Sequence, residues 1–502
     1  MKPKSEPMIE HKHLWCFFKP GTLVHAAFND VHLEGDEYFQ GQPISKGLFR
    51  FLSITPTFDE RFRDTVKTWN LKLEYIDYTG EKHEYASFIH HVHKYEGLKC
   101  LKDINPTPLE FHPDAEGIME ECLRKGEKFV SLCGIHYRFT AGVGRYPSQS
   151  QSDSSTWNRI MEHRIMIDFA TFWENPASMP QWSRPRKGLK TGNEKTPDLS
   201  DVELMLCTSS VPGFSFTLRQ WGIFDIDDIR EIDFNLNVFE QLCIPEERKD
   251  LILSLVSQHD QGSTAFDDII QGKGKGLIFL LHGPPGVGKT LTAESIADHT
   301  RRPLMAVSSG DLLGYPKSVE LVLKDIFQQT KRWGALVLID EADVFLQQRD
   351  MLSLERNGLV SVMLRILEYF EGILFLTTNR VETIDPAFRS RIHLALYYPP
   401  LSTDYLRKLW KNTIIRACNS KEPTWLTEEM LDFLSKSKVN GRDIKNIVRM
   451  AHARATNNKR QMESNDITIG LGALEEFSED FYRQKTKQGP LQSVCCSQDL
   501  AC

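Results

Sequence analysis

The chain has 502 residues, 40% of them hydrophobic and 26% charged, with 61 Lys and Arg against 68 Asp and Glu for a net charge of −7. That is the profile of a soluble globular protein of roughly two to four domains, and the near balance of charge argues against wholesale binding to nucleic acid or anionic membrane. No apolar run approaches the roughly 18 residues of a membrane span, the start is too polar for a signal peptide, and the ten scattered cysteines, with no CxxC, read as reduced thiols of an intracellular protein, cytoplasmic or nuclear.

In chain order, Leu71, Leu73 and Tyr75 alternate with Lys72 and Glu74; Thr79-Gly80-Glu81 breaks the run and 84–89 resumes it, which predicts a hairpin. His112-Pro113-Asp114 opens a predicted helix over 114–124. Segments 129–140 and 164–173, rich in aromatic or β-branched residues, are predicted strands. Polar 148–156 and the Pro-, Lys- and Arg-rich 174–200 are expected as flexible loops. Strand-like 202–207 and 215–225 follow, so a β-rich α+β domain is expected over 1–230.

Beyond about residue 231, apolar runs at 277–282, 304–308, 336–339 and 373–377 alternate with helical patterns at 290–299, 319–333 and 354–370. This predicts an α/β domain over 231–400, a parallel sheet with helices on its faces. Helix candidates at 405–417, 428–437, 442–456 and 466–475 make a small helical domain over 401–478, and 479–502 is expected to be a disordered tail.

Gly283-Pro284-Pro285-Gly286-Val287-Gly288-Lys289-Thr290 fits G-x-x-x-x-G-K-[ST] between a predicted strand and a predicted helix. Such a loop wraps backbone N–H groups around the β- and γ-phosphates of ATP, and the helix adds its positive end. Lys289 is expected on the phosphate oxygens and Thr290 on Mg²⁺. Downstream, apolar 335–339 runs into Asp340-Glu341-Ala342-Asp343; Asp340 is the expected second holder of Mg²⁺, through water, and Glu341 the expected general base. A third strand ends in Thr377-Thr378-Asn379, where Asn379 is placed to orient the water or touch the γ-phosphate. Asp385-Pro386 opens a helix followed by Arg389-Ser390-Arg391, which are either surface charges or arginine fingers acting on a neighbouring subunit.

On these residues, the span 266–477 resembles the AAA family of ATPases, and the wording of LIFLLHGPPGVGKTLTAE, LEYFEGILFLTTNR and AFRSRIHLALYY is similar to a group of fungal AAA ATPases. The resemblance implies a P-loop NTPase sheet of order 5-1-4-3-2 with a helical lid, and ATP with Mg²⁺ as cofactors. It also implies a homo-oligomeric ring, usually a hexamer, and ATP-driven remodelling of a macromolecular client, first of all a protein. Two points depart from the family pattern. Only Ser390 separates Arg389 from Arg391 where R-P-G-R is typical, so the finger is one or the other. The loop 311–317 is shorter than the usual aromatic pore loop, so Tyr315 either grips a threaded polypeptide or packs against Pro316. Arg442, in Asn440-Gly441-Arg442-Asp443, stands where many such proteins carry a sensor arginine; it either reaches the γ-phosphate or pairs with an acid. Adenine is expected near the backbone of 267–270.

Two further readings stand beside this one. An ATP-binding switch or scaffold with little turnover is opposed by the intact Glu341, and a nucleic-acid-linked AAA loader by the charge balance. His90-His91-Val92-His93 and His11-Lys12-His13 lack further ligands at metal-site spacing and are read as solvated strand edges.

Overall fold

The computed structural model describes residues 7–27, 46–58, 66–147, 156–174, 187–188, 199–240, 242, 244–260, 276–312, 315–350, 353–418 and 421–487. It falls into two compact units, Met1–Asp233 and Phe234–Cys502.

In the first unit, β1 (Met8–Glu10), β2 (Leu23–Ala27), β3 (Lys46–Phe58), β4 (Val66–Tyr78), β5 (His83–His93), β6 (Leu98–Cys100) and β7 (Thr107–Pro108) precede the helix α1 (Ala115–Ser131). After it come β8 (Ile135–Pro147), β9 (Thr156–Asp168), α2 (Phe169–Glu174), β10 (Lys187–Gly188), α3 (Asp201–Met205), β11 (Ser210–Ser215), β12 (Gln220–Asp225) and β13 (Ile229–Arg230). They build one six-stranded sheet, β10-β5-β4-β3-β2-β7, one five-stranded sheet, β12-β11-β9-β8-β13, and the pair β1-β6. The hairpin read around Thr79-Gly80-Glu81 is β4–β5, with Tyr78 opposite His83.

Side chains alternate across β5, so Phe88 and Val92 enter the core with Phe49, Leu71 and Leu73. The same alternation divides the histidines. His90 is buried, its Nε2 3.1 Å from the Asn105 carbonyl, and His11 is buried with Nε2 3.2 Å from the Val92 carbonyl. The solvated-edge reading therefore fails for these two and holds for the exposed His91 and His93 of β5; His13 is exposed but lies in a 3-10 helix, not on a strand. Among the described residues no group of three His, Cys, Asp or Glu is arranged to hold a metal.

Four expectations in this unit are corrected; the strand read over 215–225 is the end of β11, a turn at 216–219 and β12, and three others follow. Phe129 is not in a strand: α1 runs on to Ser131, burying Ile118 and Phe129 on one face, and the strand begins at Ile135. Strand β9 stops at Asp168, whose carboxylate accepts from the Thr171 N–H at 3.1 Å and caps the short helix α2, so 169–173 is helical. Segment 202–207 was expected as a strand, but Asp201–Met205 is helix α3, because Glu203 accepts from the Ser200 N–H at 2.9 Å and from its hydroxyl at 2.7 Å. Residues 148–155 of the first predicted loop and most of 174–200 lie outside the described residues, yet Thr156 begins β9 and Lys187–Gly188 pairs antiparallel with β5.

The second unit opens with α4 (Asn237–Glu240) and α5 (Glu246–Asp260), which no predicted element covered. In α5 the buried Ile252 and Val256 adjoin an exposed Leu251, so its apolar residues do not form one clean stripe. Then follow β14 (Leu277–His282), α6 (Lys289–His299), β15 (Leu304–Ser308), α7 (Pro316–Trp333), β16 (Leu336–Asp340), α8 (Asp343–Leu346), α9 (Leu354–Glu368), β17 (Ile373–Thr378) and β18 (Leu394–Tyr397). All pairings in this sheet are parallel and the order is β15-β16-β17-β14-β18, or 5-1-4-3-2 counted from the β18 edge. The central strands β14, β16 and β17 are buried on both faces and apolar up to their carboxyl ends, whereas the edge strands β15 and β18 alternate buried and exposed residues; Phe279, Leu281, Leu338 and Phe375 pack with Ala293 and Ile296 of α6.

Four helices complete the unit: α10 (Thr403–Ala417), α11 (Glu428–Ser435), α12 (Gly441–Asn457) and α13 (Ser464–Lys487). Trp410, Leu434, Ile447 and Ile467 meet in their own core. The last helix continues past 478 to Lys487, which corrects the expected start of the tail; 488–502 lie outside the described residues. No described helix is long and apolar enough to cross a membrane.

Candidate functional site

The carboxyl ends of β14, β16 and β17 bring the polar residues of this unit together, as open parallel sheets do at their ligand edge. The loop between β14 and α6 needs its glycines. Gly283 has φ +147, and a Cβ there would lie 2.2 Å from the Tyr398 carbonyl; Gly286 has φ +75, and its Cβ would lie 2.3 Å from Asn440 Oδ1. The N–H of Gly441, the first residue of α12, donates to the Gly286 carbonyl at 3.0 Å. The loop is thus held between the chain after β18 and the helical subdomain.

Lys289, the first residue of α6, is buried, and its ammonium donates to the carbonyls of Gly283 (2.8 Å) and Pro284 (2.7 Å) and to Asn379 Oδ1 (2.8 Å). Burial lowers its pKa, against the pull of Asp340 and Asp343. The Thr290 hydroxyl lies 3.1 Å from both carboxylate oxygens of Asp340. Thr377 donates to Asp340 Oδ1 at 2.5 Å and accepts from the Glu341 N–H at 2.9 Å. Glu341 sits in the left-handed region, φ +53, which few non-glycine residues adopt. Thr378 donates to Asp343 and accepts from the Arg380 N–H at 2.9 Å.

Lys289, Thr290, Asp340, Glu341, Thr377 and Asn379 line one cavity of about 310 Å³ together with Pro285, Gly286, Val287 and Gly288. Arg442 is exposed at the start of α12 and lines the same cavity; its side chain has no acid partner among the described residues. Lys445, one turn further on, joins it. Burial raises the pKa of Glu294 on α6, and Lys445 opposes that rise. Thr290 and Asp340 supply hard oxygen donors side by side, a set that suits Mg²⁺ held together with substrate phosphates.

The two arginines after β17 are not alike. Arg391 turns back onto its own chain: Nη1 donates to the Ala387 carbonyl at 2.7 Å, Nε to the Leu364 carbonyl at 3.2 Å, and Nη2 pairs with Glu368. Arg389 is exposed and makes no side-chain hydrogen bond or ion pair among the described residues. Neither lines the cavity, and neither does Tyr315, which is 78% exposed.

Comparison with known proteins agrees with this geometry. The model of the ATPase family associated with various cellular activities (AAA) matches residues 279–400. The chain carries an AAA ATPase domain. It is 33% identical over 197 residues to Protein CdcH of Halobacterium salinarum, covering 38% of this chain and 24% of that protein. It is 28% identical over 177 residues to a putative 26S proteasome regulatory subunit homologue of Methanocaldococcus jannaschii, covering 33% of this chain and 46% of the relative. A cell division cycle protein 48 homologue of Archaeoglobus fulgidus is 32% identical over 117 residues, covering 22% of this chain and 16% of its own length. The chain therefore spans less than half of each of these relatives. In the first unit, residues 2–113 match a domain of unknown function (DUF7025).

Within the AAA domain and its helical neighbour, sequence reasoning missed Thr377, Thr378, Glu294 and Lys445. It also placed adenine near 267–270, which lie outside the described residues. The described cavity has an apolar side formed by Leu242, Tyr398, Leu401 and Leu409. The two threonines did leave a signal: a strand buried on both faces has no use for hydroxyls at its end unless they bind something.

Proposed function

We propose that this protein hydrolyses ATP at the cavity of the second unit and uses the cycle to remodel a macromolecular client, most directly a protein. The observation that carries the reading is the convergence of Lys289, Thr290, Asp340, Glu341, Asn379 and Arg442 on one cavity at the carboxyl edge of a parallel sheet. The loop 283–288 and the start of α6 cradle the phosphates with backbone N–H groups. Lys289 exchanges loop carbonyls for the β- and γ-phosphate oxygens. Thr290 and Asp340 are the residues that would hold Mg²⁺, which when bound neutralises charge on those oxygens. Glu341 takes the proton of the attacking water, Asn379 orients that water, and Arg442 approaches from α12. Arg389, free of local partners, is the finger offered to a neighbouring subunit, and Arg391 holds the segment that presents it. Ring assembly and a protein client are supported by the kinship with a proteasome regulatory subunit homologue and a cell division cycle protein 48 homologue. The apolar side of the cavity receives the base. A steady-state phosphate-release assay tests the reading: the purified protein turns over ATP and Glu341→Gln does not. Release no faster for the native chain than for Glu341→Gln overturns it.

A further inference from the structure

Thr377 is 1% exposed at the end of β17, and its hydroxyl has one proton to give and lone pairs to accept. Both capacities are directed at Asp340, the last residue of β16, and at Glu341, the residue after it. It gives its proton to Asp340 Oδ1 at 2.5 Å and accepts the N–H of Glu341 at 2.9 Å. Its main-chain carbonyl accepts the next N–H, that of Ala342, also at 2.9 Å. One residue therefore clamps three successive residues of the turn after β16, including Glu341 in its left-handed conformation. The Asp340 carboxylate is held from the other side by Thr290. Asn379, two residues on, reaches Lys289 instead, so the hydroxyl contacts to Asp340 and Glu341 belong to Thr377 alone among the three polar residues of this strand end.

We infer that Thr377 is a positioning residue for ATP hydrolysis, its hydroxyl fixing the metal-side carboxylate of Asp340 and the backbone of the base Glu341 in one mutual geometry. The inference rests on the proposed ATPase reading. A packing role alone would need only the β-branched shape of the side chain. A positioning role needs the hydroxyl, because without it Asp340 loses a donor and the Glu341 N–H loses its acceptor. Displacing a general base by about an ångström is enough to slow chemistry by roughly a hundredfold while leaving substrate binding largely intact.

The test compares Thr377→Val, which keeps the shape, with Thr377→Ser, which keeps the hydroxyl, in the full-length chain. Three quantities are read: kcat and KM for ATP, the affinity for a fluorescent ATP analogue in Mg²⁺ and in EDTA, and Tm. In Thr377→Val, kcat falls about 10- to 100-fold with KM shifted by less than about threefold. Its Mg²⁺-dependent gain in affinity shrinks by up to about tenfold, since a loosened Asp340 is a poorer partner for the ion. Thr377→Ser recovers most of both losses. If Thr377→Val does not fold, Thr377→Ala against Thr377→Ser makes the same comparison. Native kcat and native Mg²⁺ dependence in Thr377→Val overturn the inference, as does a serine variant impaired as much as the valine. So does a loss confined to Tm. A native chain that releases no phosphate refutes the ATPase reading instead, and the Mg²⁺-dependent binding arm then still decides whether Thr377 positions Asp340.

Discussion

The Arg389-Ser390-Arg391 segment offers a sharp test, because two like residues one position apart have opposite surroundings. Arg391→Ala removes one donor from each of the Leu364 and Ala387 carbonyls and breaks the ion pair to Glu368, while Ala387 keeps the Ser390 hydroxyl at 3.3 Å. Its side chain is 23% exposed and that of Glu368 32%, so solvent screens part of the ion pair and the carbonyls carry most of the loss. One charge-assisted hydrogen bond is worth about 1.5–3 kcal/mol, so we expect a cost of about 2–3 kcal/mol for the set. For a unit of this size each kcal/mol moves Tm by about 2–4 °C, which gives a drop of roughly 5–10 °C. Arg389→Ala removes no local bond, so its Tm stays within about 1 °C of the native value and its ATP affinity is unchanged. A finger supplied in trans is worth about 10³-fold or more in turnover, and that is the expected loss. Phosphate release is measured across a concentration series, with sedimentation to define the assembled state. Mixing Arg389→Ala with Lys289→Ala then restores some activity, since a mixed ring pairs an intact loop with an intact Arg389. Native turnover by assembled Arg389→Ala refutes the trans role. A fully stable but inactive Arg391→Ala would exchange the roles of the two arginines.

Other consequences are more direct. Lys289→Ala loses a charged contact to the phosphates and weakens ATP binding about 10- to 100-fold in a fluorescence titration, whereas Glu341→Gln binds ATP like the native chain and hydrolyses it about 10²- to 10⁴-fold more slowly. A chain beginning at Phe234 keeps its nucleotide affinity in the same titration, because sheet and helical subdomain have their own cores; loss of binding would make the first unit part of the ATP site. In the helical subdomain, hydrogen bonds from Arg460, helped by the Glu463 N–H and Arg454, hold Asp466 at a pKa of about 2 against an ordinary 3.8. A depressed carboxylate stabilises fully above its unfolded pKa, and that contribution is lost as pH falls through the folded one. Thermal melts of Asp466→Asn should therefore show about 2 kcal/mol less stability at neutral pH and a weaker dependence between about pH 4 and 2.

What the sequence made legible, and what it hid, divides by how local the physics is. Strands β14, β16 and β17 were read almost to the residue, because a strand covered on both faces is apolar until it reaches the polar end of the sheet. The phosphate loop was legible because close approach to Tyr398 and Asn440 excludes a Cβ at Gly283 and Gly286, which fixes glycine at set spacing. The misread elements 169–174 and 201–205 turn on single capping side chains, Asp168 and Glu203, which override aromatic and β-branched composition over a few residues. Within the site, the residues named from the motif are those whose task is set by their own loop. Thr377 escaped because its task is set across strands, by an Asp340 and a Glu341 that lie 37 and 36 residues upstream. Arg389 and Arg391 stayed undivided for the same reason. Only the fold brings Leu364 and Glu368 of α9 under Arg391, and by occupying that side chain it leaves Arg389 as the one of the two without a side-chain partner among the described residues.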